Sequence, residues 1–459
     1  MPVYVAGWGL QSGAVTDRPT VDLQAMLSQA AAEAIAGVQA PIDAVLFGTM
    51  ALDRGRGGLD SAHLPDAVAH ALDLPATDLL TLTGTSESGA LAFVEAVRGL
   101  RAGRWRTVLV LAGEAMFQPG GDRAAAVASA RALIAGMLTP EERALGLSML
   151  PVGDLLLDHV LWRWPSVAEL LIPVALDKAR RAHSWRRGFL AGKRDQLDAA
   201  TYADLLHNPW VARHLRRRDV CPNANGATAL VLTSDPRIGG DIEVRGIGAG
   251  RAAPSLQARA APLDRPAALE QALDQLCADA GLTRATLRRG AGVLHDPFPS
   301  IELLTLHALG GWPWACEAFA AGWGHPLGGL PGVGHALGNT GLAAMVQAAA
   351  WLASDERLID LSRAPSPPRH VLVTSVGSPF TRVLAAVFAR RGEEWCLQPD
   401  SPLPASPPIA PSTVLAATPV PGGWLHAVQQ GPTLAWRLAG TPWPTGSQCP
   451  ALATPTPTS

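Results

Sequence analysis

SGALAFVEAV (residues 88–97) and TGLAAMVQAA (residues 340–349) place small and apolar residues in the same order behind a glycine-bearing turn. Each precedes a strand-like apolar run, TVLVLAG at 107–113 and HVLVTSVG at 370–377. Upstream, apolar positions at helical spacing over 21–37 lead into DAVLFGT (43–49), and a second helical pattern over 266–281 leads into GAGVLHD (290–296). Matched pieces in matched order predict two copies of one α/β unit.

The first copy is filled in by VYVAG (3–7), IDAVLFGTM (42–50) and LLTLT (79–83), which read as strands, and by helical patterns over 64–73 and 89–101. Strands alternating with helices predict a buried sheet. Between the copies, roughly 115–220 reads as an insertion rich in helix formers and arginine. Within it LLLDHVLWRWPSVAELLIPVAL (155–176) is broken by Asp158, His159, Arg163, Pro165 and Glu169, which predicts an amphipathic lid or interface and not a membrane span. DKARRAHSWRRGFLAGKR (177–194) and RHLRRRD (213–219) concentrate positive charge. That pattern fits a solvated helix face or a cradle for an anionic ligand such as a nucleotide phosphate. After about 391, PDSPLPASPPIAPS reads as a Pro/Ser linker, the stretch to about 445 as a few strands around a PGG turn, and ALATPTPTS as a disordered tail.

At 459 residues, 48% hydrophobic and 17% charged, the chain has enough apolar surface for a large core. A net charge of −2 supplies no general field for nucleic acid or anionic membranes. Five cysteines without paired short spacings predict neither a zinc site nor a disulfide framework. The start MPVYVAGWGLQSGAV lacks a basic segment followed by an apolar one, so a cytoplasmic protein is expected.

GTSESGALAF (84–93) sits where the apolar run LLTLT meets a helix. A serine there has two readings. Ser86 or Ser88 can cap the helix, or Ser86 can act as a nucleophile where a forming anion meets unsatisfied backbone N–H groups. His295 ends the strand-like GVLHD, and His335 lies in GVGHALGNTG at the second copy's strand–helix junction. The duplication places both beside Ser86. Imidazoles there can move a proton near neutral pH or hold a thioester oxygen as charge develops. A hydrolase elbow of the form G-x-S-x-G is disfavoured because position 88 is serine.

At these residues the chain resembles the thiolase superfamily, in particular the sterol-carrier-protein type, over roughly 1–390. The family's C-A-S/T-G-S, HDCF, GHPLGATG and DCCPVSDGAAALVL motifs are matched in order by SESGA (86–90), HDPF (295–298), GHALGNTG (334–341) and DVCPNANGATALVL (219–232). The resemblance implies a duplicated fold layered α-β-α-β-α with a helical insertion and a short β-rich extension. It divides the chain into halves at 1–245, which includes the insertion, and 246–390, followed by 391–459. It also implies acyl-CoA chemistry, with a coenzyme A thioester as substrate and no permanently bound cofactor or metal. A homodimer, or a heterodimer with a thiolase-like or small accessory subunit, is implied as well.

The departures fall on the chemistry. Ser86 stands where the family has its acylated cysteine, and Pro297 where it has the cysteine of HDCF. In the glycine-rich terminal turn, SVGSPF (375–380) keeps Gly377 but has Pro379 and Phe380. A hydroxyl needs a positioned base to match a thiolate, and loss of an acid/base group removes about 10²–10⁴-fold. Two expectations follow. One is an acyltransferase or carbon–carbon bond enzyme in which Ser86 is acylated, or His295 and His335 stabilise an enolate without a covalent intermediate. The other is a catalytically inactive subunit or CoA-binding module that pairs with an active partner.

Overall fold

The computed structural model describes residues 1–13, 22–50, 63–74, 78–116, 123–187, 204, 207–259 and 262–393, and three strands at 412–420, 423–430 and 433–439. Segment 188–194 of the basic run, the Pro/Ser linker and the terminal tail lie outside the described residues.

The first half runs β1 (Val3–Gly13), α1 (Leu23–Ile35), β2 (Ala44–Thr49), α2 (Leu64–Ala71), β3 (Asp78–Thr83), α3 (Ser88–Arg101), β4 (Thr107–Glu114). The insertion then contributes α4 (Arg123–Ala135), α5 (Pro140–Ala144), α6 (Met149–Arg163) and α7 (Leu171–Arg181), before β5 (Asn225–Thr233) closes the half. The second half runs β6 (Ile242–Arg251), α8 (Ala267–Ala280), α9 (Arg284–Arg288), β7 (Ala291–Val293), α10 (Pro299–Ala321), α11 (Gly329–Val333), α12 (Thr340–Leu352), β8 (His370–Gly377) and β9 (Arg382–Arg390). β10 (Ser412–Val420), β11 (Gly423–Gln430) and β12 (Thr433–Ala439) form a separate antiparallel sheet. The lid-like stretch 155–176 is thus α6, a 3₁₀ turn at Pro165–Glu169, and α7.

The main sheet has the order β3-β2-β4-β5-β1-β6-β9-β8-β7. Read outward from the β1–β6 junction, both halves repeat one pattern. β5 and β9 pair antiparallel to their neighbours, and β2–β4 and β7–β8 pair parallel across a helical crossover. The junction is short, with Val3, Tyr4 and Val5 opposite Val244, Glu243 and Ile242.

Strand alternation sorts the core into layers. Val108, Val110, Val371, Val373, Ala386 and Phe388 face a central core filled by α3 and α12. Leu109, Leu111 and Phe47 face α1 and α2 on one outer side. Leu372, Ala385 and Val387 face α8 and α10 on the other. Helices, sheet, helices, sheet, helices is the five-layer arrangement that the thiolase resemblance implies. α12 is apolar nearly all round because it is covered from both sides.

The outer helices sit unusually close to the sheet. A Cβ at Gly9 of β1 would overlap the carbonyl oxygen of Ala30 in α1, and a Cβ at Gly250 of β6 would overlap that of Ala268 in α8. The same constraint at equivalent places in both halves is a physical signature of the duplication. Gly9→Ala and Gly250→Ala are each expected to lower stability by about 1–3 kcal/mol or more through overpacking, read as a lower urea midpoint. A midpoint unchanged in either variant would contradict this close packing.

Candidate functional site

His295 emerges just past β7, and its backbone N–H donates to Thr374 Oγ1 on β8 at 3.2 Å. His335 follows α11 through Gly334, whose φ of 95° is a left-handed conformation that favours glycine. The CPNANG segment clamps it: His335 N–H donates to the Pro222 carbonyl at 2.8 Å, and the His335 carbonyl accepts from Ala224 N–H at 3.1 Å. The two imidazoles meet edge to face with centroids 5.3 Å apart, and each residue is only 5% exposed. Two histidines well separated in the chain are therefore brought together.

Their electrostatics are set by burial. Burial, followed by the neighbouring His335 ring, holds His295 well below the ordinary imidazole range. Burial likewise lowers His335, to about 4. Both rings are neutral at pH 7. His335 Nδ1 accepts the Leu337 N–H at 3.2 Å, so the neutral ring carries its proton on Nε2 and can donate from there. His295 lines a cavity of about 40 Å³, little more than the ~30 Å³ share of one liquid water. Asn339 and Thr340 also line it, and neither Asn339 Oδ1 nor Thr340 Oγ1 has a hydrogen-bond partner among the described residues.

Ser86 lies in the turn before α3 and is 3% exposed. Among the described residues it makes no hydrogen bond, to either imidazole or to any other base; like His335, it does not line the cavity. Neither serine caps α3. Its N-cap is Glu87, which makes no side-chain capping bond, while Ser88 Oγ donates to the Thr85 carbonyl at 2.7 Å and accepts the Gly84 N–H at 3.0 Å. The buried Glu87 carboxylate turns back on Thr85 N–H (2.9 Å) and Thr85 Oγ1 (2.6 Å) and faces Arg382 at 3.4 Å. Pro297 uses its carbonyl to accept the Cys221 N–H at 3.1 Å and carries no proton to transfer.

Behind His295 runs a buried charge network that sequence reasoning missed. Lys178 Nζ lies 2.5 Å from Asp296 Oδ2 and 2.6 Å from Glu302 Oε2. His325 Nδ1 meets Glu302 Oε1 at 2.6 Å, and its Nε2 lies 3.5 Å from Asp177, which is held in turn by Arg181 at 2.5 Å. Asp296 Oδ1 accepts the Leu330 N–H at 2.7 Å, tying the residue after His295 to α11. Three cations thus face three carboxylates. Burial opposes the charge on Lys178, but Asp296 and Glu302 hold its pKa above the ordinary range. Burial raises Asp296 to about 6 against the pull of Lys178; Glu302, despite burial, is drawn down to about 2 by His325 and Lys178. His325 is likewise raised against its burial by Glu302 and Asp177. The available signal was Glu302, a lone carboxylate in the apolar run PSIELLTL.

Several described cations of the basic insertion are engaged within the chain. Beyond Lys178 and Arg181, Arg187 bonds the Leu10 carbonyl and Glu33, Arg213 faces Asp158 at 3.6 Å, and the Arg216 guanidinium stacks on Trp210 at 3.9 Å. This favours the structural reading over the anion cradle for these residues.

Two outcomes test this electrostatic picture. Lys178→Met strands two buried carboxylates and is expected to destabilise by about 3–5 kcal/mol, read by urea unfolding. For the imidazoles, folding depresses both pKa values below the unfolded value of about 6.5. Their stabilisation is complete above that unfolded value and is lost as pH falls below it, for His335 toward and through about 4. Asp296 titrates in the same window with the opposite sign. The contribution is therefore the difference between the native chain and His295→Gln/His335→Gln, which should lose less stability on acidification; parallel curves would contradict neutral burial.

No family model and no curated protein matches the chain. Solved structures do. An Ltp2-ChsH2(DUF35) aldolase structure aligns with TM-score 0.65 at 17% identity, covering 85% of this chain and 98% of that one. Human mitochondrial 3-ketoacyl-CoA thiolase aligns with TM-score 0.63 at 15% identity, covering 85% and 99%. The Acat5 thiolase from Ascaris suum, in complex with coenzyme A, aligns with TM-score 0.60 at 15% identity, covering 85% and 100%. The fold of this chain is thiolase-like.

Proposed function

We propose that the chain acts on acyl-CoA thioesters by carbon–carbon bond chemistry in which His335 and His295 stabilise an enolate, without acylation of Ser86. The observation that carries this reading is the buried pair of neutral imidazoles, with His335 presenting Nε2–H. A fixed donor in a water-poor site strengthens as negative charge develops on an oxygen, and removing one such donor lowers turnover about 10²–10³-fold. His295, at His335's edge, supplies a second polar contact to the same oxygen or moves the proton. Among the described residues no base is hydrogen-bonded to Ser86, and Pro297 cannot serve as one. Support also comes from an aldolase among the structural neighbours and from the coenzyme A complex of another. In this reading the halves 1–245 and 246–390 form one unit around the site, and 391–459 is an appendage.

A second reading has its own observation. A cavity of about 40 Å³ is far smaller than the ~300–1,000 Å³ of ordinary ligand sites. That favours a non-catalytic subunit that shapes a partner's pocket, as a homodimer or beside a thiolase-like or small accessory chain. The aldolase neighbour, named as a two-component assembly, supports such pairing.

Incubation with short- and long-chain acyl-CoAs in D₂O, followed by NMR at the α-carbon, separates the readings. Enolate formation predicts α-proton exchange that falls about 10²-fold or more in His335→Ala and stays within a few-fold in Ser86→Ala. A stable acyl adduct on Ser86 in the intact mass would overturn the non-covalent route. Absence of exchange, together with co-purification of a second chain, would favour the subunit reading.

A further inference from the structure

A second cavity, of about 270 Å³, lies between the insertion and the start of α8. Its walls are apolar, with Leu156 of α6, Ala252, Ala253, Leu263, Ala267 and Phe380 among them, and Arg259 is the charged residue of the lining. Its volume of about 270 Å³ is roughly nine times the ~30 Å³ of a liquid water.

Arg259 is half-buried, and among the described residues no carboxylate lies within ion-pair distance of it. Its guanidinium bonds neutral oxygens: Nε to the Ala253 carbonyl at 3.0 Å, Nη1 to the Pro379 carbonyl, and Nη2 to Thr381 Oγ1 at 3.2 Å and the Pro254 carbonyl at 3.5 Å. Burial lowers its pKa, with Glu142 opposing from a distance. Both Glu142 oxygens are already spent on backbone N–H groups, of Leu256 at 2.8 Å and of Thr139 at 3.0 Å. A partly desolvated cation whose bonds among the described residues all go to neutral oxygens, with the Glu142 carboxylate acting on it only through space, on the wall of an apolar cavity, is complementary to an anionic head on a short apolar chain.

We propose that this cavity binds a medium-chain carboxylate, with the chain against Leu156, Ala267 and Phe380 and the carboxylate on Arg259. The site does not rest on the acyl-thioester reading and stands or falls separately from it. The competing account is that Arg259 merely staples Ala253 and Pro254 to Pro379 and Thr381.

Calorimetric titration of the full chain with octanoate, and with octanol as the uncharged control, decides between them. Arg259→Gln removes the charge, and Ala267→Phe fills the cavity while leaving the charge at 259 in place. Expected is saturable binding of one octanoate, weakened about tenfold or more by Arg259→Gln with octanol unaffected, and loss of both ligands in Ala267→Phe. No octanoate binding up to about 10 mM, or equal binding by the native chain and Ala267→Phe, overturns the site. Octanoate binding unchanged in Arg259→Gln does so as well and leaves the staple. If Arg259→Gln fails to fold by circular dichroism, Ala267→Phe carries the test.

Discussion

Everything at the centre of this molecule depends on how closely two helices approach one another. A Cβ at Gly89 of α3 would press on the Gly338 carbonyl and on Leu342, and a Cβ at Gly341 of α12 would press on Ala90 and Ser375. Glycine-sized contacts let the N-terminal turns of the two helices pack together between the half-sheets. The strand–helix junctions of both halves are thereby drawn to one place. His295 from the end of β7 and His335 from the turn before α12 can then share a contact that sequence distance alone would never suggest.

That geometry sets the protonation state of the histidine pair more than residue type does. Burial keeps both imidazoles neutral, and the Leu337 N–H fixes which His335 nitrogen carries the proton. Behind them, Lys178, Asp296, Glu302 and His325 form a closed network whose desolvation is offset by mutual pairing. Its link from Asp296 to Leu330 ties the β7 end to α11, and so to the segment that carries His335. The network reads as a brace for the histidine pair. Among the described residues Ser86 makes no hydrogen bond to this system, and the proposed route without acylation builds on that.

Much of the architecture could be read from the chain, for a physical reason. Alternating apolar residues in buried strands and the repeated small-residue helices are local signals, so SGALAFVEAV and TGLAAMVQAA each begin at the first residue of their helix, α3 and α12. His295 and His335 were recognisable because each stands at a strand end or glycine turn. The buried network was not, because its members come from separate segments of the chain and Lys178 is camouflaged in an arginine-rich run. The roles of the serines also escaped the sequence, since GTSES offers capping and nucleophilic readings alike. Ser88 braces the turn, and Glu87 takes the N-cap position without a capping bond. Nor could sequence reveal that β1 and β6 join the halves into one continuous sheet, a matter of three residue pairs.

The most direct test of the histidine pair's role is a crystal structure of the chain with a coenzyme A analogue in which a methylene replaces the thioester sulfur and the carbonyl is retained. Enolate stabilisation by the pair predicts that carbonyl oxygen within hydrogen-bonding distance of His335 Nε2, beside His295, with the Ser86 hydroxyl unmodified and apart. An analogue seated against Ser86 with both imidazoles facing elsewhere would contradict it.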